Sequence, residues 1–189
     1  GRRAEGAVRS SAAGVGAGTW GRAACSPERK PQTEVPVAPA AGGRVTLRRN
    51  MRNGDEVSLL GFGCMRFPTV GGDRYTGTID EEPTLEMLDY AYAHGVNYFD
   101  TAPVYVQGQS ERATGIALKR HPRDRFFIAT KMSNFSNPTR ENSLDLYRNS
   151  FKQLQVDYLD YYLLHSVGGG SGLGTFRERF IDNGILEFL

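Results

Sequence analysis

Four times between Leu59 and His165 a short apolar run is followed by a stretch with helical spacing. The runs are Leu59-Leu60-Gly61-Phe62-Gly63, 96–100, 126–131 and 159–165. Between them Leu85, Leu88 and Tyr92 recur at three- and four-residue steps, as do Leu144, Tyr147, Phe151 and Leu154. That is the period of one helix face. Asp80, with Glu81 and Glu82 behind it, predicts a capped helix start, and Gly95 its end. Ser110 predicts the cap of a short helix running through Ile116 and Leu118 to Lys119 and Arg120. Asn137-Pro138 predicts a cap followed by proline at the first helical position. A last helix is predicted over about Thr175–Leu189.

Ahead of these units, Val45-Thr46-Leu47 and Glu56-Val57-Ser58 flank Asn53-Gly54, a strong hairpin turn signal. The pattern over 44–189 is therefore a hairpin followed by four β/α units. Alternation of strand and helix implies a parallel sheet with right-handed crossovers. Continuously apolar strands imply burial on both faces. Four units are half of an eightfold β/α barrel, and 189 residues fall short of the roughly 250 a whole barrel takes. A complete doubly wound sheet, flavodoxin-like, is the alternative. It is the weaker one, because no phosphate-binding glycine loop follows the first strand at the usual spacing.

Residues 1–43 are rich in Ala, Gly, Arg, Ser and Pro without strand or helix period. They read as disordered, as an Arg-rich transit peptide, or as a leader that is not natural coding sequence. The first methionine is Met51, and the chain stops at Leu189 inside a predicted helix, so both ends are expected to be those of a fragment. Charge is nearly balanced at +2 and offers no argument for nucleic acid or an anionic membrane. Six of the 23 Lys/Arg and three of the 21 Asp/Glu fall in 1–43, leaving 17 basic and 18 acidic residues from Arg44 onward. Two cysteines, Cys25 and Cys64, are too few for a disulfide framework and point to a reducing, cytoplasmic compartment. No apolar run approaches the roughly 18 residues of a membrane helix.

Three of the apolar strands end on reactive side chains. Val96-Asn97-Tyr98-Phe99 delivers Asp100, with Tyr105 five residues on; 126–130 delivers Lys131; 159–164 delivers His165. Strand C-termini are where β/α barrels hold their active sites. A tyrosine near pKa 10 is a poor acid, and an ammonium nearby favours its phenolate. An aspartate would keep that lysine charged and fixed, and a neutral histidine can donate to a carbonyl oxygen. Such a set protonates and polarises a carbonyl, and hydride must come from a nicotinamide or flavin. Singly, each residue has a plainer role: Tyr105 is one of nine tyrosines, Asp100 could cap a loop, Lys131 could be solvated, and His165 could be an interior histidine. His94, at a helix end, and His121, before Pro122, carry no such pattern.

Gly95-Val96-Asn97-Tyr98-Phe99-Asp100-Thr101-Ala102, then Tyr105, Ser110-Glu111 and Gly115, resemble the second-strand signature of the aldo-keto reductases. Ala129-Thr130-Lys131 and Leu163-Leu164-His165 resemble the third- and fourth-strand motifs of that superfamily. Val106 stands where the family usually has glycine, and Thr114 where it has Leu or Ile. The resemblance implies the N-terminal half of a TIM (β/α)8 barrel preceded by a β-hairpin, and NADPH-dependent carbonyl reduction. Tyr105 would be the general acid, Lys131 would strengthen it as an acid, Asp100 would pair with Lys131, and His165 would orient the carbonyl of a small-molecule substrate. Gly63, Cys64, Met65 and Asp100 would touch the cofactor. Gly61-Phe62-Gly63-Cys64-Met65-Arg66-Phe67-Pro68 resembles bacterial members with a C-terminal 4Fe-4S cluster, whose ligands would lie beyond Leu189. A regulatory or binding subunit of the same fold, and a non-functional truncated product, are the other expectations. Neither the substrate nor the oligomeric state is indicated.

Overall fold

The structure is a computed structural model describing residues 46–49, 53–73, 76–168 and 172–189. The expectations for 1–43 lie outside the described residues. Strands β1 (Leu47–Arg49) and β2 (Glu56–Ser58) pair antiparallel, with Leu47 opposite Ser58. The first strand sits two residues later than the apolar pattern suggested. The Arg49–Glu56 ion pair at 3.1 Å spans the matched register, and Gly54 turns the chain with φ +78°.

Strands β3 (Phe62–Gly63), β4 (Tyr98–Asp100), β5 (Phe127–Met132) and β6 (Tyr161–Leu164) form one parallel sheet in the order of the chain. A flavodoxin-like sheet breaks that order at its switch point. Sequential order with a single crossover hand carries every helix to one face, as in a barrel. Helix α1 (Glu81–Ala93) packs on α2 (Ser110–Leu118), and α2 on α3 (Arg140–Leu154). The fold is α/β, the N-terminal half of a β/α barrel with its hairpin.

The register fixes the faces. Tyr98 with Phe127, Asp100 with Ala129 and Tyr161, and Lys131 with Leu163 lie side by side on one face. The alternate positions turn toward the helices, where Phe99 and Ile128 pack with Leu88, Ala91, Ala117 and Leu118. A second cluster, Met132 with Phe180 and Ile185, fills the space under α3. Phe127, Ile128, Ala129 and Thr130 are all buried, so the central strand β5 is closed on both sides. Gly115 lets α2 approach α3: a Cβ there would lie 2.5 Å from the Leu154 carbonyl oxygen.

The helix starts differ in detail from expectation. Asp80 holds the cap position of α1 without a side-chain bond. Ser110 is not a cap but the first helical residue, completely buried, with Oγ donating to the Cys64 carbonyl at 2.7 Å. The residue before it, Gln109, is already in right-handed helical geometry, so Ser110 is available for that tertiary bond. At α3 the cap is Thr139, whose Oγ1 accepts from the Asn142 N–H, while Asn137 accepts from the Thr139 hydroxyl at 2.9 Å. The last helix is three pieces: α4 (Leu173–Phe176), a π turn (Arg177–Ile181) and α5 (Ile185–Phe188). Gly184, at φ +66°, makes the break before α5.

Candidate functional site

Asp100 ends β4, Lys131 is the penultimate residue of β5, and His165 follows β6 directly. All three therefore stand at the C-terminal edge of the sheet. Lys131 Nζ is paired with Asp100 Oδ1 and donates to the Thr101 carbonyl at 2.8 Å. Two acceptors from one strand end hold the ammonium in place. Tyr105 arrives from the loop after β4, opening the 3-10 turn Tyr105–Gly108. Lys131 Nζ lies 4.7 Å from the centre of its ring. The ring meets the His165 imidazole edge-on at 5.7 Å and 88°. The four side chains thus form one cluster.

The turn that delivers Tyr105 is strained. Val106 (φ +46°), Gln107 (φ +54°) and Gly108 (φ +86°) are left-handed in succession. A β-branched residue there is an outlier, at a cost of about 1–3 kcal/mol. Val106 is 6% exposed and packs in the main core, so burial offsets strain that a glycine would avoid.

His165 is held at every point but one. Its N–H donates to Met132 O at 3.2 Å, its carbonyl accepts from Arg179 Nη2 at 2.8 Å, and its Nδ1 lies 2.7 Å from Ser133 Oγ. Phe135 covers its flank at 5.0 Å between ring centres. Burial pushes the imidazole pKa down, the Lys131 and Arg179 cations push it further, and Asp100 opposes them. The neutral ring is favoured.

Of the expected cofactor residues, Gly63 pairs in register with Asp100, and a Cβ on it would meet nothing within 4 Å. Met65 is exposed beside it. Cys64 does not fit the expectation. It is fully buried, its N–H and carbonyl are taken by Asp100 O and Ser110 Oγ, and burial pushes its thiol up to about 12. Among the described residues no group of three or more His, Cys, Asp or Glu could hold a metal ion. No support for an iron–sulfur cluster comes from them.

Sequence reasoning missed Ser133, Asn134, Arg179 and the Thr101 carbonyl. Ser133 lies two residues past Lys131, a strand-period signal that could have placed both on one face. Arg179 carries no local signal. It is 4% exposed, lies against the Phe135 ring at 4.4 Å, and donates to Asn134 Oδ1, Ser166 O and His165 O. Behind the site, Thr130 Oγ1 donates to the buried Glu111 carboxyl at 2.6 Å.

The family model for the aldo/keto reductase family matches residues 59–171, and the chain belongs to that family. It is 36% identical over 122 residues to the Glycine max protein named probable aldo-keto reductase 1, covering 60% of this chain and 34% of that one. It is 30% identical to the Escherichia coli NADH-specific methylglyoxal reductase, covering 58% of this chain and 39% of that one. The structure of aldo-keto reductase AKR11C1 from Bacillus halodurans, in its holo form, aligns with a TM-score of 0.56 at 31% identity, covering 72% of this chain and 45% of that one. The chain thus spans well under half the length of the curated relatives it matches.

Proposed function

We propose that this chain supplies the acid–base half of a carbonyl reductase that uses a nicotinamide nucleotide. The observation that carries the reading is the convergence of Asp100, Tyr105, Lys131 and His165 at the C-terminal edge of one parallel sheet. Tyr105 gives its proton to the substrate oxygen. Lys131, held by Asp100 and the Thr101 carbonyl, stabilises the phenolate left behind. The neutral His165 donates to the same oxygen and orients the carbonyl. The nucleotide, when bound, supplies hydride. Gly63, Met65 and Asp100 are the residues here that would touch it, and the open space over Gly63 suits a flat ring. NADPH is the cofactor we propose, although the name of the E. coli relative specifies NADH. The substrate is a small carbonyl compound. The compartment is cytoplasmic, in keeping with the sparse cysteines and with no described helix long and apolar enough to cross a membrane.

The test is Tyr105→Phe in a full barrel that contains this chain. Reduction of a reactive aldehyde should fall about 10²–10⁴-fold, while nucleotide affinity by fluorescence titration stays near wild type. Undiminished turnover removes Tyr105 from the mechanism. Nucleotide binding without turnover in the wild type favours the regulatory reading. With four strands contributing one side of the site, the chain alone should turn over little.

A further inference from the structure

His165 can serve a carbonyl oxygen only if its free ring nitrogen carries a proton. A neutral imidazole has one N–H, and the partner of the other nitrogen decides which. Here that partner is Ser133, 6% exposed, with Oγ 2.7 Å from Nδ1. A serine hydroxyl has a single hydrogen to give. Its other acceptor is the Lys131 carbonyl at 3.3 Å, beyond the usual hydroxyl range of about 2.5–3.0 Å. With the hydrogen on the short contact, Oγ points it at the Nδ1 lone pair; with it on the long contact, Nδ1–H would donate to Oγ instead. In the first arrangement Nδ1 is unprotonated and Nε2 carries the N–H, and the long Lys131 contact favours that arrangement.

The surroundings support the neutral ring this requires. Lys131 and Arg179 face it as cations, Tyr105 and Phe135 wall it with aromatic edges, and Asp100 is the one opposing charge. Arg179 binds the His165 main-chain carbonyl and leaves both ring nitrogens alone. No other described residue hydrogen-bonds Nδ1.

We propose that Ser133 is a positioning residue: its hydroxyl donates to His165 Nδ1 and fixes the Nε2–H tautomer, the one able to donate to a substrate carbonyl. The role rests on the carbonyl-reductase reading, but the tautomer does not. Long-range ¹H–¹⁵N correlation spectra of the chain's three histidines, with His165 identified by its absence in His165→Asn, report it directly. At a pH where the rings are neutral, His165 should show protonated Nε2 and unprotonated Nδ1. Ser133→Ala should convert this to a mixture of tautomers, and Ser133→Thr should restore the single form. Protonated Nδ1 in the wild type overturns the proposal without any variant. So does an unchanged pattern in a folded Ser133→Ala. In a full barrel, Ser133→Ala should lower kcat about three- to ten-fold, the scale of one hydrogen bond, with nucleotide affinity unchanged and threonine restoring the rate. An inert barrel with the expected tautomer defeats the reductase reading and leaves Ser133's contact standing. Full turnover with the wrong tautomer defeats the Ser133 proposal alone.

Discussion

On its helix side the β3–β6 sheet buries Phe99, Ile128 and Met132 completely, whereas on the opposite side, around the buried Phe127 and Ala129, Asp100, Lys131 and Tyr161 stay half-buried and Leu163 is 37% exposed. The closed face is assembled from apolar side chains of α1, α2 and α3. The open face gathers the titratable groups. Period-two alternation lets one strand serve both: in β5, Ile128 and Thr130 face the helices, and Lys131 faces the site. Cohesion and chemistry are thus separated by one residue, and the two faces should answer mutation very differently.

The largest effect is expected on the closed face. Phe99→Ala should cost about 3–5 kcal/mol, the usual range for a buried phenylalanine, read as a shifted urea midpoint. A cost below about 1 kcal/mol would mean that the helix layer is not packed as described. Gly115→Ala comes next, at about 1–3 kcal/mol of overpacking, because the new methyl meets the Leu154 backbone at 2.5–2.8 Å. If α2 and α3 can separate freely, the variant will instead match wild type.

Glu111 lies between the faces and makes the comparison pH-dependent. Burial raises its carboxyl pKa, against weaker lowering by bonds to Thr130 and Ser150 and by Lys131. The folded chain then keeps this proton to higher pH than the unfolded chain does. The stability this gives is full below the unfolded pKa and is lost as pH rises through the raised folded value. Glu111→Gln keeps an acceptor for Thr130 Oγ1 and removes the charge. Its stability should therefore gain on wild type as pH rises from acid to mildly alkaline, in urea midpoints measured across that range. A parallel pair of profiles would show that Glu111 is not the group responsible. The smallest effect belongs to the open face. Leu163→Ser in this chain should change stability by no more than about 0.5 kcal/mol, and a cost above about 1 kcal/mol would reveal something covering that surface.

What could be read beforehand follows the same division. The strands at 96–100 and 126–131 stand out because burial on both faces leaves them continuously apolar, and their reactive ends follow from strand direction. Helix caps are harder: the Asn137-Pro138 pattern predicts the α3 cap at Asn137, yet Thr139, two positions on, holds it. Ser110 has a cap's chemistry but was taken by a bond to Cys64, 46 residues away. The family resemblance implies that Cys64 touches the cofactor, and only the packing after β3 shows its side chain turned inward. Arg179 reaches the His165 carbonyl from a π turn, a geometry no periodicity announces.

The hairpin has a consequence for the order in which the molecule forms. Tyr161 donates its hydroxyl to Asp55 Oδ2 at 2.7 Å, joining residues 106 positions apart. Asn97 ties the same hairpin to β4, accepting from Ser58 N–H and donating to the Glu56 carbonyl. Each sheet strand pairs with its successor, so β3 to β6 can zip up one unit at a time with short loop closures. The Asp55–Tyr161 bond must wait for β6. The hairpin is therefore fastened in two stages, first to β4 through Asn97 and then to β6 through Tyr161. Its full hydrogen exchange protection should appear only after β6 has joined β5 in a refolding experiment.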